Sequence, residues 1–594
     1  MRTNFIWMLL LSAMITSSCE ESATADSSLL DSPFEVFEYV TSSGRTYSPV
    51  IDDEARKISI SDLTTGDDIA GVNYQLKEGL SITPTPDTRV GSWRETELFI
   101  ISDGSEKVPY ETTLVDYYHS TVVADATIYT QQTYGCEVKY HLYDLKNDGA
   151  TNGLDNYANA VTMFQTYGMN GVRLPIWGAV DSVTGELGHP NQGEVNLNVY
   201  QRTYDRVNNA VSAFQAGGGN INDFIVFISI KSSGQDAVKL PSWCFTGGVI
   251  ARANLIPSMY AELIRDYVTA LKKNTRSDLQ VQVVGLDNES SFANADAATA
   301  WMHYQTVPYV KEVFAEENWN TPRFISYEAW EPKAFANGQF QSILTNAPNT
   351  VDIYGIHYYH GKDHPKYFGR LEADWDAAMT SSTYARTDGI EREFWASEPH
   401  WDLTTDFTAY NDDYFKIAED AMCTLWAQTD LGMSAFAWWG FGVDAGTSLR
   451  PGLMRMASVP ITGATPVKFI DHDDDGFSKD DTSEYDDVTR DYSRLSNNLK
   501  SRAFIDGKNV TIYLINVEWY DDRATAPVYE GYKVGLDDAK IGNYKRVSYE
   551  QYAGTDASCK TYTYNSGEFF APSESYFSID LPARSITCIQ FTIE

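Results

Sequence analysis

VQVVGLDNESSF, residues 281–292, is an apolar run that stops abruptly on Asp287, Asn288 and Glu289. A strand that ends on an amide and an acid either enters an ordinary loop or presents chemistry, and its surroundings decide which. Seven further runs share its texture: CEVKYHLYDL (136–145), GVRLPIW (171–177), DFIVFISIKS (223–232), RFISYEAW (323–330), VDIYGIHYY (351–359), EFWASEPH (393–400) and MSAFAWWGF (433–441). Together with LQVQVVGLDNE (279–289) they make eight strand-like runs separated by helical stretches. One such stretch, IPSMYAELIRDYVTALKKN, carries Ile256, Met259, Tyr260, Leu263, Tyr267 and Leu271 near a 3.6-residue repeat. Eight alternating β and α units is the number that closes an α/β (β/α)8, or TIM, barrel. We assign residues 130–490 to it.

Function in such barrels sits where the C-terminal strand ends gather. The second run carries Arg173 and ends on Trp177; the fourth ends Asn288-Glu289; the fifth ends with Glu328 and Trp330. The sixth ends on His357, Tyr358, Tyr359 and His360, the seventh on Glu398, His400 and Trp401, and the eighth on Trp438-Trp439. Ordinary loops would not collect so many acids, histidines and tryptophans on one rim. Two carboxylates facing each other across a rim are what glycoside hydrolysis needs: an acid for the leaving oxygen, and a nucleophile or a base for water. Glu289 and Glu398, on the fourth and seventh strands, are the candidates. Glu328 fits substrate binding or a structural ion pair equally well. Trp177, Trp243 and Trp330 could stack on sugar faces or pack as core, and His400 and Trp401 could shape the pocket rim or pack.

The rest of the chain frames the barrel. The 594 residues carry a net charge of −37, which argues against nucleic acid or an anionic membrane surface as partner, since both would repel it. Tyr 38 and Trp 14 exceed what cores alone require, so some should line a surface. At the N-terminus, Arg2, an apolar stretch from Phe5 to Ile15 and small residues before Cys19 read as a signal peptide (1–19), too short to span a bilayer. Residues 20–32 read as a tether, 33–118 as an Ig-like N-terminal β-sandwich and 491–594 as a C-terminal β-sandwich. The remaining cysteines are scattered without metal-binding spacing. Cys559 and Cys588 could pair or be buried thiols.

These features resemble known families. The small residues before Cys19 resemble the lipobox of bacterial lipoproteins, departing from it at Thr16, and Glu20-Glu21 resemble the surface-export tethers of Bacteroidetes lipoproteins. That implies secretion across the inner membrane, lipidation at Cys19 and anchoring to, rather than spanning of, the outer membrane, with exposure at the cell surface. Asn288-Glu289 ending strand four and Trp395-Ala396-Ser397-Glu398-Pro399 ending strand seven resemble the signature strands of clan A glycoside hydrolases. The Arg173 of GVRLPI and the HYY after strand six match two further clan positions. Within the clan, SIKSSGQDAVKLPSW is distantly similar to family 30, and families 39 and 86 (agarases and porphyranases) are alternatives; Ser290 stands where family 30 carries Pro.

The clan resemblance implies a retaining mechanism with Glu289 as acid/base and Glu398 as nucleophile. Arg173 and a hydroxyl, that of Tyr359, would hold Glu398; His357 would belong to the same group; Asn288 would bind the sugar 2-hydroxyl; Trp438 or Trp439 would floor the reacting subsite. The implied partner is a poly- or oligosaccharide, the protein acts as a monomer, and catalysis requires no cofactor. In IDHDDDGFSKDD, Asp471, Asp473 and Asp475 with Gly476 fit half a calcium loop, yet Thr482 stands where an EF-hand needs Glu. A structural calcium site and an acidic linker are both open. Two rival readings remain: a non-catalytic surface glycan-binding lipoprotein of a polysaccharide-utilisation system, and a calcium-dependent adhesion protein.

Overall fold

The computed structural model describes residues 29–594 except 42–43, 61–68, 87–96, 115–123, 146–152, 178–180, 182–183, 231–239, 251–253, 287, 289–296, 327, 329–346, 358–385, 400–414, 416–417, 419–421, 423–424, 427, 431, 439–448, 472–498, 518–525 and 556–560. The chain divides into two compact units, Met1–Thr121 and Val122–Glu594.

The second unit contains the barrel. Its strands are β1 (Tyr140–Asp144), β2 (Gly171–Ile176), β3 (Ile225–Ile230), β4 (Val283–Gly285), β5 (Arg323–Ile325), β6 (Ile353–Ile356), β7 (Glu393–Ala396) and β8 (Met433–Trp438). All eight pair in parallel in chain order, and β8 closes on β1. Each lies within one of the eight runs read from the sequence.

The pleat sends alternate residues inward. Leu142, Ile225, Phe227, Val283, Ile325, Ile353, Trp395, Ala435 and Ala437 fill the barrel interior. Their neighbours Val172, Leu174, Val226, Ile228, Phe394 and Phe436 face the helices in a second, larger core. Strands buried on both faces read as near-continuous apolar runs, which is why the eight stand out in the sequence.

Among the described residues, helices α1 (Tyr157–Val161), α2 (Leu197–Ala216), α3 (Pro257–Asn274), α4 (Ala297–Glu316) and α5 (Leu449–Ser458) lie between or after these strands. Helix α3 begins with Pro257 in its first turn and ends with Lys272 and Lys273, where cations suit the helix dipole. Its buried face includes Tyr260, Leu263, Tyr267 and Leu271 of the expected repeat. Asn196 caps α2, its side chain accepting from the amide of Asn198.

A nine-stranded sheet completes this unit. Strands 499–506, 509–516, 529–536, 546–554, 562–570, 576–581 and 585–592 come from the C-terminal segment. Two more come from elsewhere: 126–133, which precedes the barrel, and 465–471, which follows its last helix and pairs with both 126–133 and 499–506. The sheet packs on the barrel helices. The Tyr513 hydroxyl donates to the carbonyl of Met456 at 2.7 Å, and Arg455 pairs with Glu550. At Gly452 a Cβ would stand 1.9 Å from the Tyr552 hydroxyl, so this contact requires glycine. Cys588 is a free buried thiol, and Cys559 lies outside the described residues.

The first unit has a three-stranded sheet (46–47, 34–41, 69–76) and a five-stranded sheet (50–52, 57–60, 107–114, 97–102, 81–83). Phe37, Tyr39 and Val72 of the one share a core with Ile58, Phe99, Val108 and Tyr110 of the other, as in a β-sandwich.

Candidate active site

At the C-terminal end of the barrel the apolar interior gives way to a buried polar layer. Asp144 ends β1, Arg173 lies in β2 and Ser229 in β3. Asn288, Glu328, His357 and Glu398 lie just beyond β4, β5, β6 and β7. All seven side chains belong to buried residues. Arg173 is central, with its guanidinium 5.3 Å from the centre of the Phe227 ring. Its Nη1 donates to Asp144 Oδ2 at 2.5 Å and to Glu398 Oε1 at 2.5 Å. Its Nη2 donates to Asn288 Oδ1 at 2.8 Å and to Glu328 Oε2.

His357 sits beside it, with Nδ1 3.1 Å from Glu398 Oε2 and Nε2 3.5 Å from Glu328 Oε2. Ser229 donates its hydroxyl hydrogen to Glu328 Oε1. Backbone bridging between Asn288 and Glu328 carries the β4–β5 pairing beyond the strands proper.

One guanidinium therefore serves three carboxylates without access to water. Burial opposes its charge, and the carboxylates of Asp144, Glu328 and Glu398 outweigh burial, raising the Arg173 pKa well above the ordinary arginine value. Arg173 is a fixed cation at any working pH. Both oxygens of Glu398 are engaged by different groups, one by Arg173 and one by His357, so its carboxylate plane is set from two sides.

Of the residues expected from the sequence, Arg173, Asn288, His357 and Glu398 converge in this layer. Glu328 joins them as an ion-pair partner of Arg173. Asp144 and Ser229 were not anticipated. Trp438 follows the outward parity of Phe436 and packs in the strand–helix core, its Nε1 donating to His141 Nδ1 at 3.1 Å. The inward positions of β8 belong to Ala435 and Ala437. Trp177 is likewise buried among the apolar side chains of that outer core, with its backbone amide donating to the Tyr200 hydroxyl, and Trp243 packs against the same core.

Glu289, Trp330, Tyr359, His400, Trp439, Asp473, Asp475 and Cys19 lie outside the described residues. Asp471 ends the strand 465–471. Among the described residues no group of three or more His, Cys, Asp or Glu could hold a metal ion, and no helix is long and apolar enough to cross a membrane.

No family model and no curated protein matches the chain. Solved structures similar to it include clan A glycoside hydrolases. A conserved exported protein from Bacteroides fragilis aligns over 78% of this chain and 99% of its own, with a TM-score of 0.50 and 13% identity. A GH30 endoxylanase from Clostridium papyrosolvens aligns over 79% of this chain and 100% of its own, with a TM-score of 0.47 and 14% identity. A GH86 protein in complex with neoagarooctaose aligns over 79% of this chain and 78% of its own, at 0.46 and 12%. At such identities the likeness is one of fold.

Proposed function

We infer that this chain is a retaining glycoside hydrolase that cleaves β-linked polysaccharide, with Glu398 as nucleophile and Glu289 as acid/base. The observation that carries this reading is the setting of Glu398: a carboxylate at the end of β7, buried at the barrel mouth and gripped by Arg173 and His357. A buried carboxylate with its orientation fixed by two groups is suited to in-line attack on an anomeric carbon. Glu289, adjoining Asn288 at the end of β4, supplies the second carboxyl that the chemistry needs.

In the first step Glu398 forms a bond to the anomeric carbon as the glycosidic bond breaks, and Glu289 delivers its proton to the leaving oxygen. Loss of the Glu398 charge on glycosylation leaves Arg173 paired with Asp144 and Glu328, so the guanidinium stays neutralised in the intermediate. In the second step Glu289 takes a proton from water, the water oxygen attacks the anomeric carbon, and Glu398 departs as carboxylate. Asn288, held by Arg173, is placed to meet the sugar 2-hydroxyl, and Trp439 is the remaining candidate for the subsite floor. No cofactor takes part in these steps. Export and lipidation at Cys19 would put the enzyme at the cell surface, where a polymeric glycan is accessible.

The test is digestion of a panel of β-glucans, xylans and algal galactans by wild type, E398Q and E289Q, read by mass spectrometry. Wild type should release oligosaccharides from one class, and each variant should lose at least about 10³-fold in kcat. A wild type that binds one glycan tightly and cleaves none would replace this reading with that of a surface glycan-binding protein.

A further inference from the structure

Glu328 is fully buried and is not needed by the two-carboxylate chemistry just described. Burying an extra carboxylate is costly until its contacts offset the loss of water, and the barrel gives up side chains to hold this one. Strand β5, which Glu328 follows, is flanked by β4 and β6, and each carries a glycine pointing inward at this level. A Cβ on Gly285 would lie 2.9 Å from Glu328 Oε1 and 2.8 Å from Ser229 Oγ. A Cβ on Gly355 would lie 3.4 Å from Glu328 Cγ and closer still to Ile325. Glu328 thus occupies a slot made by two absent side chains, and the Ser229 hydroxyl fixes one of its oxygens.

The other oxygen does two things. Oε2 accepts from Arg173 Nη2 and lies 3.5 Å from His357 Nε2. Arg173 and His357 are the two groups that grip Glu398, each from its far side. Glu328 therefore reaches the nucleophile through these two intermediaries. Arg173 also leans on Asp144. Among the described residues Glu328 is the carboxylate that couples the two grips behind the nucleophile.

We propose that Glu328 is a positioning residue: held by Ser229 in the Gly285–Gly355 slot, it locks Arg173 and His357 together so that they orient Glu398. The proposal rests on the hydrolase reading for its kinetic consequence but not for its geometry. Because Glu328 acts through Arg173 and His357, its loss should fall on kcat and spare KM.

The experiment compares wild type, E328Q and S229A on whichever glycan the panel identifies, alongside the imidazole 15N resonances of His357 in histidine-labelled protein, assigned through H357N. E328Q should lose about 10²-fold in kcat, in line with a small misplacement of a catalytic group, with KM changed less than about threefold. The His357 resonances should shift in the same variant. S229A, which keeps the carboxylate and removes its anchor, should lose about tenfold and decides the matter if E328Q does not fold. A folded E328Q with kcat within about twofold of wild type, or with unmoved His357 resonances, overturns the proposal. If wild type cleaves no glycan, the hydrolase reading falls, and the 15N shifts alone then uphold or overturn the positioning role.

Discussion

The two ends of the barrel treat buried charge in opposite ways. At the N-terminal end Glu393 is met by two cations, Lys139 Nζ at 3.2 Å and Arg323 Nη1 at 2.8 Å, and by the indole N–H of Trp395 at 2.8 Å. Burial would raise the Glu393 pKa, but Arg323, Trp395 and Lys139 together bring it below the usual glutamate value. Lys139, Arg323 and Glu393 remain in part exposed, and Arg323 lies over the buried Trp395 ring. At the C-terminal end, among the described residues, the ratio is inverted: one cation serves three carboxylates, all of them buried. A plug for the bottom of a barrel can be built from cations in excess at a wet edge. Carboxylates in excess within a dry mouth make no sense as a plug, and such imbalance marks sites where structure is held for chemistry.

The contrast can be broken at its centre. R173M removes a partner shared by Asp144, Glu328 and Glu398 and should destabilise the protein by about 3–5 kcal/mol, whereas R323M at the other end should cost only about 1 kcal/mol. Urea denaturation of both variants checks this, and equal losses would erase the distinction. G285A presses a methyl group against Ser229 and Glu328 and should cost about 1–3 kcal/mol, with a larger proportionate loss of activity than any substitution at the bottom.

A smaller effect separates the mouth from the apolar layer around it. His141, beside the rings of Phe436 and Trp438, is held neutral by burial, its pKa pushed down to about 3. Below pH 6.5 the unfolded chain binds a proton there and the folded chain does not until about pH 3, so stability falls as pH falls across that window. The slope is up to about 1.4 kcal/mol per pH unit. Denaturation of wild type and H141Q at pH 7, 6 and 5 should show the wild-type advantage shrinking with acidity; an advantage independent of pH would contradict it. K139M, at the exposed bottom pair, should change stability by less than about 1 kcal/mol.

Most of the barrel was readable because strands buried on both faces leave continuous apolar runs, and Arg173, Asn288, His357 and Glu398 interrupt or end such runs with polar groups. Ser229 gave no such signal, since a serine inside IVFISI resembles a small core residue. Asp144 ends its run like many strand ends. The cue for Glu328 was there in VVG and IYG, two glycines flanking one strand, but their facing each other across β5 depends on register. The face of Trp438 follows from its parity within β8, and a strand boundary read to within a residue or two leaves that parity open. The strand 126–133 was hidden for another reason: its partners lie on the far side of the barrel in sequence, and local pattern carries no information about such pairing.

The central claim is that Glu398 attacks the sugar. Incubation with activated 2-deoxy-2-fluoro glycosides of glucose, xylose and galactose, followed by peptide mapping, tests it directly. The account predicts a single added glycosyl group on the peptide containing Trp395-Ala396-Ser397-Glu398-Pro399, located on Glu398 and absent from E398Q. A label on another residue, or an enzyme that turns over its glycan while E398Q does so equally well, would contradict it.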